Sequence, residues 1–470
     1  MLDCVIRGDV ALACDGFPRR GMLQIGSLAL AGLSLPQFLC AADQREGKSW
    51  LKDRSVVLLF LHGGPSHIEF FDPKMTAPSE IRSITGEVST KTAGITFGGT
   101  FGKLASMTDQ FSIVRSYGTK NSSHTYARAA GGDNPMKATL SAMYARVAGT
   151  NNARTGLPNN ILVKPETIQD GLKLGRNFES IALPTLTQAG TLGRSYEAFD
   201  SSGGSNLKDN MQLRLPELRL GDRRSLLKQL DSVRFRADRS GLLNRTDRYQ
   251  QQAFEIITRG ISEAFDLSRE DGPTLKRYDT TGVFKAADLQ RYGDMRRSTN
   301  LLGHQMLLAR RLCEAGCGFV TVSDCGWDMH ANNNSPKGMR GMWPMGSQVD
   351  HAVSAFIQDC RERGLSEKIL LLVTGEMGRT PRINGGGGRD HYGELTPLLV
   401  SGGGLRMGQV VGQSDRTAAR PNGEGFDTRH LVGTVMNTLF DTGEMRLDPS
   451  VPGEILRIVN ADQTIRPLHG

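Results

Sequence analysis

The sequence has little material for cross-linking by thiols. Only seven of its 470 residues are cysteine, and their spacing is irregular. Disulfide scaffolds are short chains with many cysteines, and thiolate zinc sites need two closely spaced pairs. Cys313 and Cys317 lie one helical turn apart without a second such pair. We therefore expect packing to be their role, and one disulfide is left open.

The sequence also lacks a long basic block and, beyond its N-terminus, a long apolar run. Lysine and arginine number 57 against 49 acidic residues, for a net charge of +8, but the two signs are interspersed. No aromatic residues interleave with basic ones as in nucleic-acid surfaces, so we expect no nucleic-acid partner. The excess of arginine suits small anionic substrates better. We expect no membrane span in the mature protein, because no later run reaches 18 apolar residues.

The N-terminus has the layout of an export signal. Arg19 and Arg20 precede a moderately apolar stretch, from Met22 to about Cys40, that glycine and proline interrupt. A charged front and a short apolar middle are typical of such signals, and twin arginines indicate the route that carries folded proteins. The alternative is a short amphipathic surface helix. We expect residues 1–42 to engage the twin-arginine export machinery and to deliver the protein to the periplasm or the extracellular space.

After this signal, β-rich apolar runs alternate with helical patterns. Between about 220 and 315, apolar residues recur at intervals of three and four, as in amphipathic helices. This alternation predicts one α/β domain over residues 43–470, with a helical insertion at about 196–300. Its mainly parallel central sheet would lie between helices, with strands 55–61 and 368–374 near the centre. The predicted strands are 55–64, 111–116, 159–164, 318–324, 368–375 and 395–403.

Acids and imidazoles cluster where the predicted strands end or begin. Because parallel strands deliver their carboxyl ends to one edge of a sheet, these side chains should converge. A lone Asp-x-His is more often a hydrogen-bonded structural pair, but three such pieces favour a site for zinc, manganese or calcium. Asp324 is a weaker addition. The pieces are Asp328 with His330, Glu376 with Arg379, and Asp390 with His391.

Several segments resemble the domain-of-unknown-function family 1501, bacterial proteins exported through the twin-arginine route. They include VVLLFLHGGPSHIEFFDPK from residue 56, GEMGRTP from residue 375 and GGRDHYGELTPLLVSGGG from residue 387. That family is similar to the alkaline phosphatase and sulfatase superfamily. The resemblance implies a parallel sheet between helices, two metal sites and a nucleophile at the strand ends.

The resemblance also assigns roles to the residues at the strand ends. It implies metal ligands at Asp328, His330, Glu376 and His391, with Asp390 beside them. Arg379 would neutralise an oxygen of a phosphate or sulfate group.

The nucleophile is expected at a helix start, where residues 122–124 offer Ser122, Ser123 and His124. A hydroxyl there would gain from the helix dipole. The alternative is that one serine simply caps the helix. No Cys-x-Pro-Ser-Arg stretch is present, so a formylglycine sulfatase mechanism lacks its nucleophile.

The first strand departs from the superfamily pattern. It runs into His62 and two glycines, where the superfamily normally has a metal-binding aspartate. His62 or His67 would be a substitute ligand. Asp72 is the nearest acid, and a turn cap before the following proline is its alternative role.

Two classes of function follow from these residues. The first is an exported metal-dependent hydrolase or transferase for phosphate or sulfate-type esters, with a small anionic ester or a decorated polysaccharide as substrate. The second is a non-catalytic envelope binding or assembly protein that keeps the phosphatase-like fold. The clustered metal-ligand candidates favour the first class, and the missing first-strand aspartate favours the second.

The export signal gives the first testable prediction. Replacing both Arg19 and Arg20 by lysine keeps the charge but removes the twin-arginine feature, so we expect the variant to stay in the cytoplasm. Cell fractionation followed by immunoblotting measures this. Undiminished export of the double variant would contradict the twin-arginine interpretation.

Overall fold

The computed structural model describes residues 48–172, 182–202, 262–285, 287, 298–331, 338–461 and 463–469. The predicted signal, residues 1–42, and most of the predicted insertion at 196–300 lie outside these residues. The chain divides into two compact units, Met1–Ser49 and Trp50–Gly470, and all elements named below belong to the second. None of the described helices combines the length and apolarity that a membrane crossing needs.

A mixed sheet of eight strands forms the centre of this unit. The strands lie in the spatial order β12-β4-β11-β8-β1-β7-β5-β6, and β2-β3 and β9-β10 form two small separate ribbons. Only β11 runs antiparallel to its sheet neighbours. The strands are β1 (Ser55–His62), β2 (Glu87–Ser89), β3 (Thr96–Gly98), β4 (Ser112–Val114), β5 (Asn160–Val163), β6 (Phe199–Asp200), β7 (Phe319–Cys325), β8 (Ile369–Thr374), β9 (Gly378–Arg379), β10 (His391–Tyr392), β11 (Leu399–Gly402) and β12 (Val410–Val411).

Helices cover both faces of the sheet. On one face α8 and α9 pack in the larger apolar core, and on the other face α3, α4, α10, α11 and α12 pack in the second. The described helices are α1 (His67–Phe70), α2 (Gly102–Ala105), α3 (Tyr126–Gly131), α4 (Leu140–Ala148), α5 (Pro165–Ile168), α6 (Ser262–Phe265), α7 (Gly272–Tyr278), α8 (Leu302–Glu314), α9 (Met342–Glu362), α10 (Thr428–Leu439), α11 (Thr442–Leu447) and α12 (Gly453–Asn460).

The predicted fold class is confirmed. All six predicted strands are present, the sheet is mainly parallel, and β1 and β8 are its two central strands. The sequence of β1 is a continuous apolar run because both faces of the strand are covered. Val57 and Leu59 lie in one core, and Val56 and Leu58 lie in the other core. Each such buried side chain stabilises the fold by about 1.5–3 kcal/mol.

The seven strands of the sheet that run in one direction all end at the same edge, among them β1, β4, β7 and β8. The antiparallel β11 begins there, because its first residue Leu399 pairs with Val373 near the end of β8, whereas Gly402 pairs with Leu370. This edge therefore receives the segments that follow β1, β4, β7 and β8 together with the segment before β11.

A carboxyl group is buried inside β7. Asp324 is 1% exposed, and its Oδ2 accepts a hydrogen bond from Trp327 Nε1 at 2.7 Å. Burial raises the pKa of Asp324 to about 7, although the hydrogen bond from Trp327 opposes the shift. In the unfolded chain the same carboxyl loses its proton near its ordinary pKa of about 3.9. Because the folded state then holds the extra proton, stability falls as pH rises from about 4 to about 7.

Replacing Asp324 by asparagine should remove this dependence on pH. The amide keeps an acceptor for Trp327 and has no proton to lose. We expect the stability of the variant relative to wild type to rise by up to about 1.4 kcal/mol per pH unit between pH 4 and 7 and to level off above pH 7. Urea unfolding at pH 4.5, 6 and 8 measures the difference. A difference that is constant with pH would contradict the raised pKa.

Candidate metal centre

A buried aspartate lies at the centre of this edge. Asp328 follows β7 and is 2% exposed. The turn that carries it is tied to the end of β1, because Trp327 N donates a hydrogen bond to His62 O at 2.9 Å. Gly63 permits this close approach: its φ is +112°, and a Cβ there would lie 2.2 Å from Asp328 N. Only glycine fits such a position without strain.

The Asp328 carboxylate is surrounded by cationic and imidazole groups. His330 Nε2 hydrogen-bonds to Oδ2 at 2.9 Å. His391 Nε2 lies 3.1 Å from Oδ1, and Arg379 Nη2 donates to Oδ1 at 2.5 Å. Burial alone would raise the pKa of Asp328, but the hydrogen bonds from both histidines and the charge of Arg379 hold it well below its usual range. The carboxylate is therefore ionised.

Three of the side chains at this edge could hold a metal ion. Among the described residues, one ligand atom each from His124, Asp328 and His391 lies within 4.8 Å of the other two. The side chains of His124 and His391 are 20% and 30% exposed, so solvent reaches the group. His330 stands beside it, with its ring centroid 5.2 Å from that of His391. Imidazole and carboxylate are a donor set that binds divalent transition metals.

A second carboxylate stands behind this group. Glu376 is fully buried, and its Oε1 lies 2.8 Å from His124 Nδ1. The same oxygen accepts a hydrogen bond from Gly63 N at 2.9 Å. A carboxylate that accepts from one ring nitrogen fixes the tautomer of a metal-binding histidine, and here it leaves His124 Nε2 on the side of Asp328. Glu376 thus contacts a candidate ligand and, among the described residues, is not part of the group of three ligand atoms, whereas the sequence predicted it to be a ligand itself.

Arg379 also differs in position from the sequence prediction. It was expected to face an anionic substrate, but its side chain is fully buried. Its guanidinium donates to Asp328 and to three backbone carbonyl oxygens, those of Gly63, Gly64 and Arg389. The guanidinium of Arg379 therefore pairs with Asp328 inside the protein and does not face solvent.

The glycine-rich segment after β8 forms the hairpin that brings Arg379 and His391 together. They are directly opposed in the β9-β10 pair, so both side chains lie on one face. In the turn, Asn384 Oδ1 accepts from Gly386 N and Gly388 N at 3.0 Å. A Cβ at Gly388 would lie 2.6 Å from the backbone of His330, so this glycine lets the hairpin pack against the loop after β7.

The two serines predicted as nucleophiles, Ser122 and Ser123, are both exposed. The Ser123 hydroxyl donates to Asn121 Oδ1 and hydrogen-bonds to Thr125 Oγ1, each at 2.8 Å. The N-cap of α3 is Thr125, so the alternative that Ser122 or Ser123 caps the helix is wrong.

The remaining candidates lie outside the group of ligand atoms. Asp390 is exposed, and its Oδ1 accepts from Asn384 Nδ2 at 2.9 Å. His62 Nε2 hydrogen-bonds to Ser323 Oγ at 2.9 Å. Burial, assisted by nearby His124, lowers the pKa of His62 to about 3, so its ring is neutral at physiological pH.

Two residues that follow β1 have partners elsewhere. His67 Nε2 lies 2.9 Å from the carbonyl oxygen of Ala418. Asp72 accepts a hydrogen bond from Ser414 Oγ and pairs with Lys74 Nζ at 3.3 Å.

Sequence reasoning assigned His124 to catalysis rather than to metal binding. The structure brings it into the ligand group with Asp328 and His391. A signal was present, since His124 is an imidazole in the segment that follows a predicted strand, as His330 is.

Comparison with known proteins places the chain in a family. It belongs to the family described as Protein of unknown function (DUF1501), whose model matches residues 53–466. No curated protein matches the sequence.

Two solved structures are weakly similar to this chain. The crystal structure of Ps i-CgsB is 9% identical, with a TM-score of 0.31 over 88% of this chain and 78% of that one. A TAB5 alkaline phosphatase mutant with Mg bound in its M3 site is 11% identical, with a TM-score of 0.26 over 75% of this chain and 92% of that one. Likenesses of this strength transfer no residue roles.

The geometry predicts a graded loss of metal binding. Replacing His124 or His391 by alanine removes a ligand atom, so affinity for zinc or manganese should fall by more than the roughly 10–100-fold typical of losing an outer partner. Replacing His330 by alanine should cost about 10–100-fold. Calorimetric titration measures the affinities, and thermal unfolding checks that each variant is folded.

The matched control is His430→Ala. His430 lies 2.9 Å from Asp427 and is 23% exposed, so it resembles the His330–Asp328 pair but belongs to the start of α10. Its replacement should leave metal affinity unchanged. Metal affinity of wild-type strength in His391→Ala would show that the ligand group is misassigned.

Proposed function

We propose that the protein is a metal-dependent hydrolase or transferase that acts on phosphate or sulfate-type esters outside the cytoplasm. The observation that carries this proposal is the convergence of His124, Asp328 and His391 at a solvent-accessible edge, with Glu376 buried behind them. A divalent ion held there would supply a Lewis acid for an ester oxygen and for the attacking hydroxyl or water.

The donor set narrows the choice of metal. Two imidazoles and one carboxylate suit zinc or manganese, whereas calcium prefers a shell composed of oxygen atoms. Among the three ions expected from the sequence, zinc and manganese are therefore favoured over calcium.

The residues of the chain prepare the site in distinct ways. Arg379 and the histidines keep Asp328 ionised. His330 holds Oδ2 of that carboxylate, which leaves Oδ1 on the side of His391. Glu376 sets the orientation of His124. These contacts fix the orientation of the side chains, and such preorganisation avoids reorganisation during reaction.

Ser122 is the preferred candidate nucleophile of the two serines. Both serines are exposed, but the Ser123 hydroxyl is engaged by Asn121 and Thr125. We therefore assign the attacking hydroxyl to Ser122.

The substrate we propose is a small anionic ester or a polysaccharide that carries such esters. Export by the twin-arginine machinery, with action in the periplasm or outside the cell, is part of the same proposal. It is supported by the Arg19-Arg20 pair and the apolar stretch that follows.

A non-catalytic envelope binding or assembly protein is the second candidate. Two observations favour it: β1 ends at His62 without an acid and is followed by Gly63, and Arg379 is fully buried. A metal bound at the centre would then serve binding or structure alone.

Hydrolysis of model esters separates the two candidates. Purified protein loaded with zinc or manganese should cleave at least one of p-nitrophenyl phosphate, bis-p-nitrophenyl phosphate and p-nitrophenyl sulfate. Asp328→Asn should lower kcat/KM by about 100-fold or more, because the charged ligand of the Lewis acid is lost. Ser122→Ala should lower kcat while metal content stays constant, and His430→Ala should match wild type. Tight metal binding without cleavage of any ester would favour the binding protein.

A further inference from the structure

A buried guanidinium fills a cage of oxygen atoms next to the ligand group. Arg379 Nε donates to Gly64 O at 2.8 Å and Nη1 donates to Arg389 O at 3.1 Å. Its Nη2 donates to Asp328 Oδ1 at 2.5 Å and also to Gly63 O. The four acceptors come from three separate parts of the chain.

The backbone is shaped to make this cage. Gly63 and Gly64 have φ of +112° and +87°, a conformation that residues with a Cβ rarely adopt. A Cβ at Gly64 would lie 2.5 Å from Met377 Cγ. The turn that ends β1 therefore directs two carbonyl oxygens at one cation. Carbonyl and carboxylate oxygens are the ligands that hard divalent ions take.

The cage and the ligand group share one carboxylate oxygen. Asp328 Oδ1 accepts from Arg379 at 2.5 Å and lies 3.1 Å from His391 Nε2. A single oxygen thus faces a permanent cation on one side and the candidate metal ligands on the other. The guanidinium therefore occupies space beside this oxygen that a second cation sharing it would need.

Among the described residues, the side chains that the first strand and the segment after it offer do not join a group of three ligand atoms, although Nδ1 of His62 and of His67 is buried without a hydrogen-bond partner. His62 binds Ser323, His67 binds the carbonyl of Ala418, and Asp72 binds Ser414 and Lys74. Among the described residues, His124, Asp328 and His391 are the one group of at least three ligand atoms close enough for a metal.

We propose that Arg379 is a built-in cation that takes the place of a second divalent ion, so that the centre binds one ion per chain. The inference rests on the proposed metal site and deepens it. A guanidinium stays charged at all physiological pH values, and its planar fork matches several oxygens at once. The positive charge beside Asp328 therefore does not depend on the supply of a second metal.

The stoichiometry of binding tests the proposal directly. The purified protein is titrated separately with zinc and with manganese, and bound ions are counted by native mass spectrometry and elemental analysis. We expect one ion per chain. Two ions at the centre, with the second lost in Asp328→Asn, would overturn the inference and leave the proposed function intact. No bound ion would instead refute the proposed metal site on which the inference rests.

Removal of the guanidinium gives a second, independent measurement. In Arg379→Ala, affinity for the ion should fall at least about 10-fold, and millimolar methylguanidinium should restore much of it by refilling the cage. Unchanged affinity without the additive, or a loss that the additive does not reverse, would overturn the role of Arg379.

If the alanine variant does not fold, Arg379→Lys keeps the charge without the fork. It should bind one ion with lower affinity, and wild-type affinity in this variant would count against the cage.

Arg389→Ala is the matched control. Arg389 is equally buried, but its guanidinium binds Glu69 and the carbonyls of Ile81 and Arg82. Its replacement should lower the melting temperature, and methylguanidinium should not alter its metal affinity. Rescue of metal affinity by the additive in this variant as well would show a non-specific effect and overturn the assignment to Arg379.

Discussion

The candidate centre depends on the burial of one negative charge. An ionised carboxylate taken out of water costs several kcal/mol unless charges and hydrogen bonds compensate for it. Asp328 is 2% exposed, and its compensation comes from His330 in its own loop after β7 and from Arg379 and His391 in the β9-β10 hairpin. The charge therefore requires these loops to meet, and their meeting fixes the ends of β7 and β8 and the segment before β11 relative to one another.

The close approach of these loops explains where glycine is required. Gly63 lies against the backbone of Asp328, and Gly388 lies against that of His330, at distances that leave no room for a side chain. Glu376 closes the assembly from behind, because one oxygen accepts from Gly63 and also meets His124. Buried polar networks of this kind stabilise a structure only when their members are paired. The same contacts that order the sheet edge thereby orient the candidate ligands.

Much of this arrangement could be predicted from the sequence, for a physical reason. Strands covered on both faces are continuous apolar runs, so β1 and β8 are visible without a structure, and parallel strands deliver their ends to one edge. The depth of each side chain could not be predicted. Arg379 and His391 are neighbours because β9 pairs with β10, and Glu376 lies behind His124 because β4 and β8 end at the same edge. Both facts are tertiary, and spacing along the chain does not contain them.

The burial of Arg379 also changes what the net charge of +8 can mean. Composition alone suggests that the excess of arginine binds anionic substrates. The guanidinium of Arg379, however, donates its hydrogen bonds to Asp328 and to backbone carbonyl oxygens. Groups that face solvent at the centre are the imidazoles, at 20–30% exposure. An anionic substrate would therefore meet the histidines and any ion they hold. The buried guanidinium of Arg379 would not contact the substrate and would keep Asp328 charged. The imidazoles thus face both the ion and the solvent side of the centre, and the task of Arg379 is to compensate the charge of Asp328.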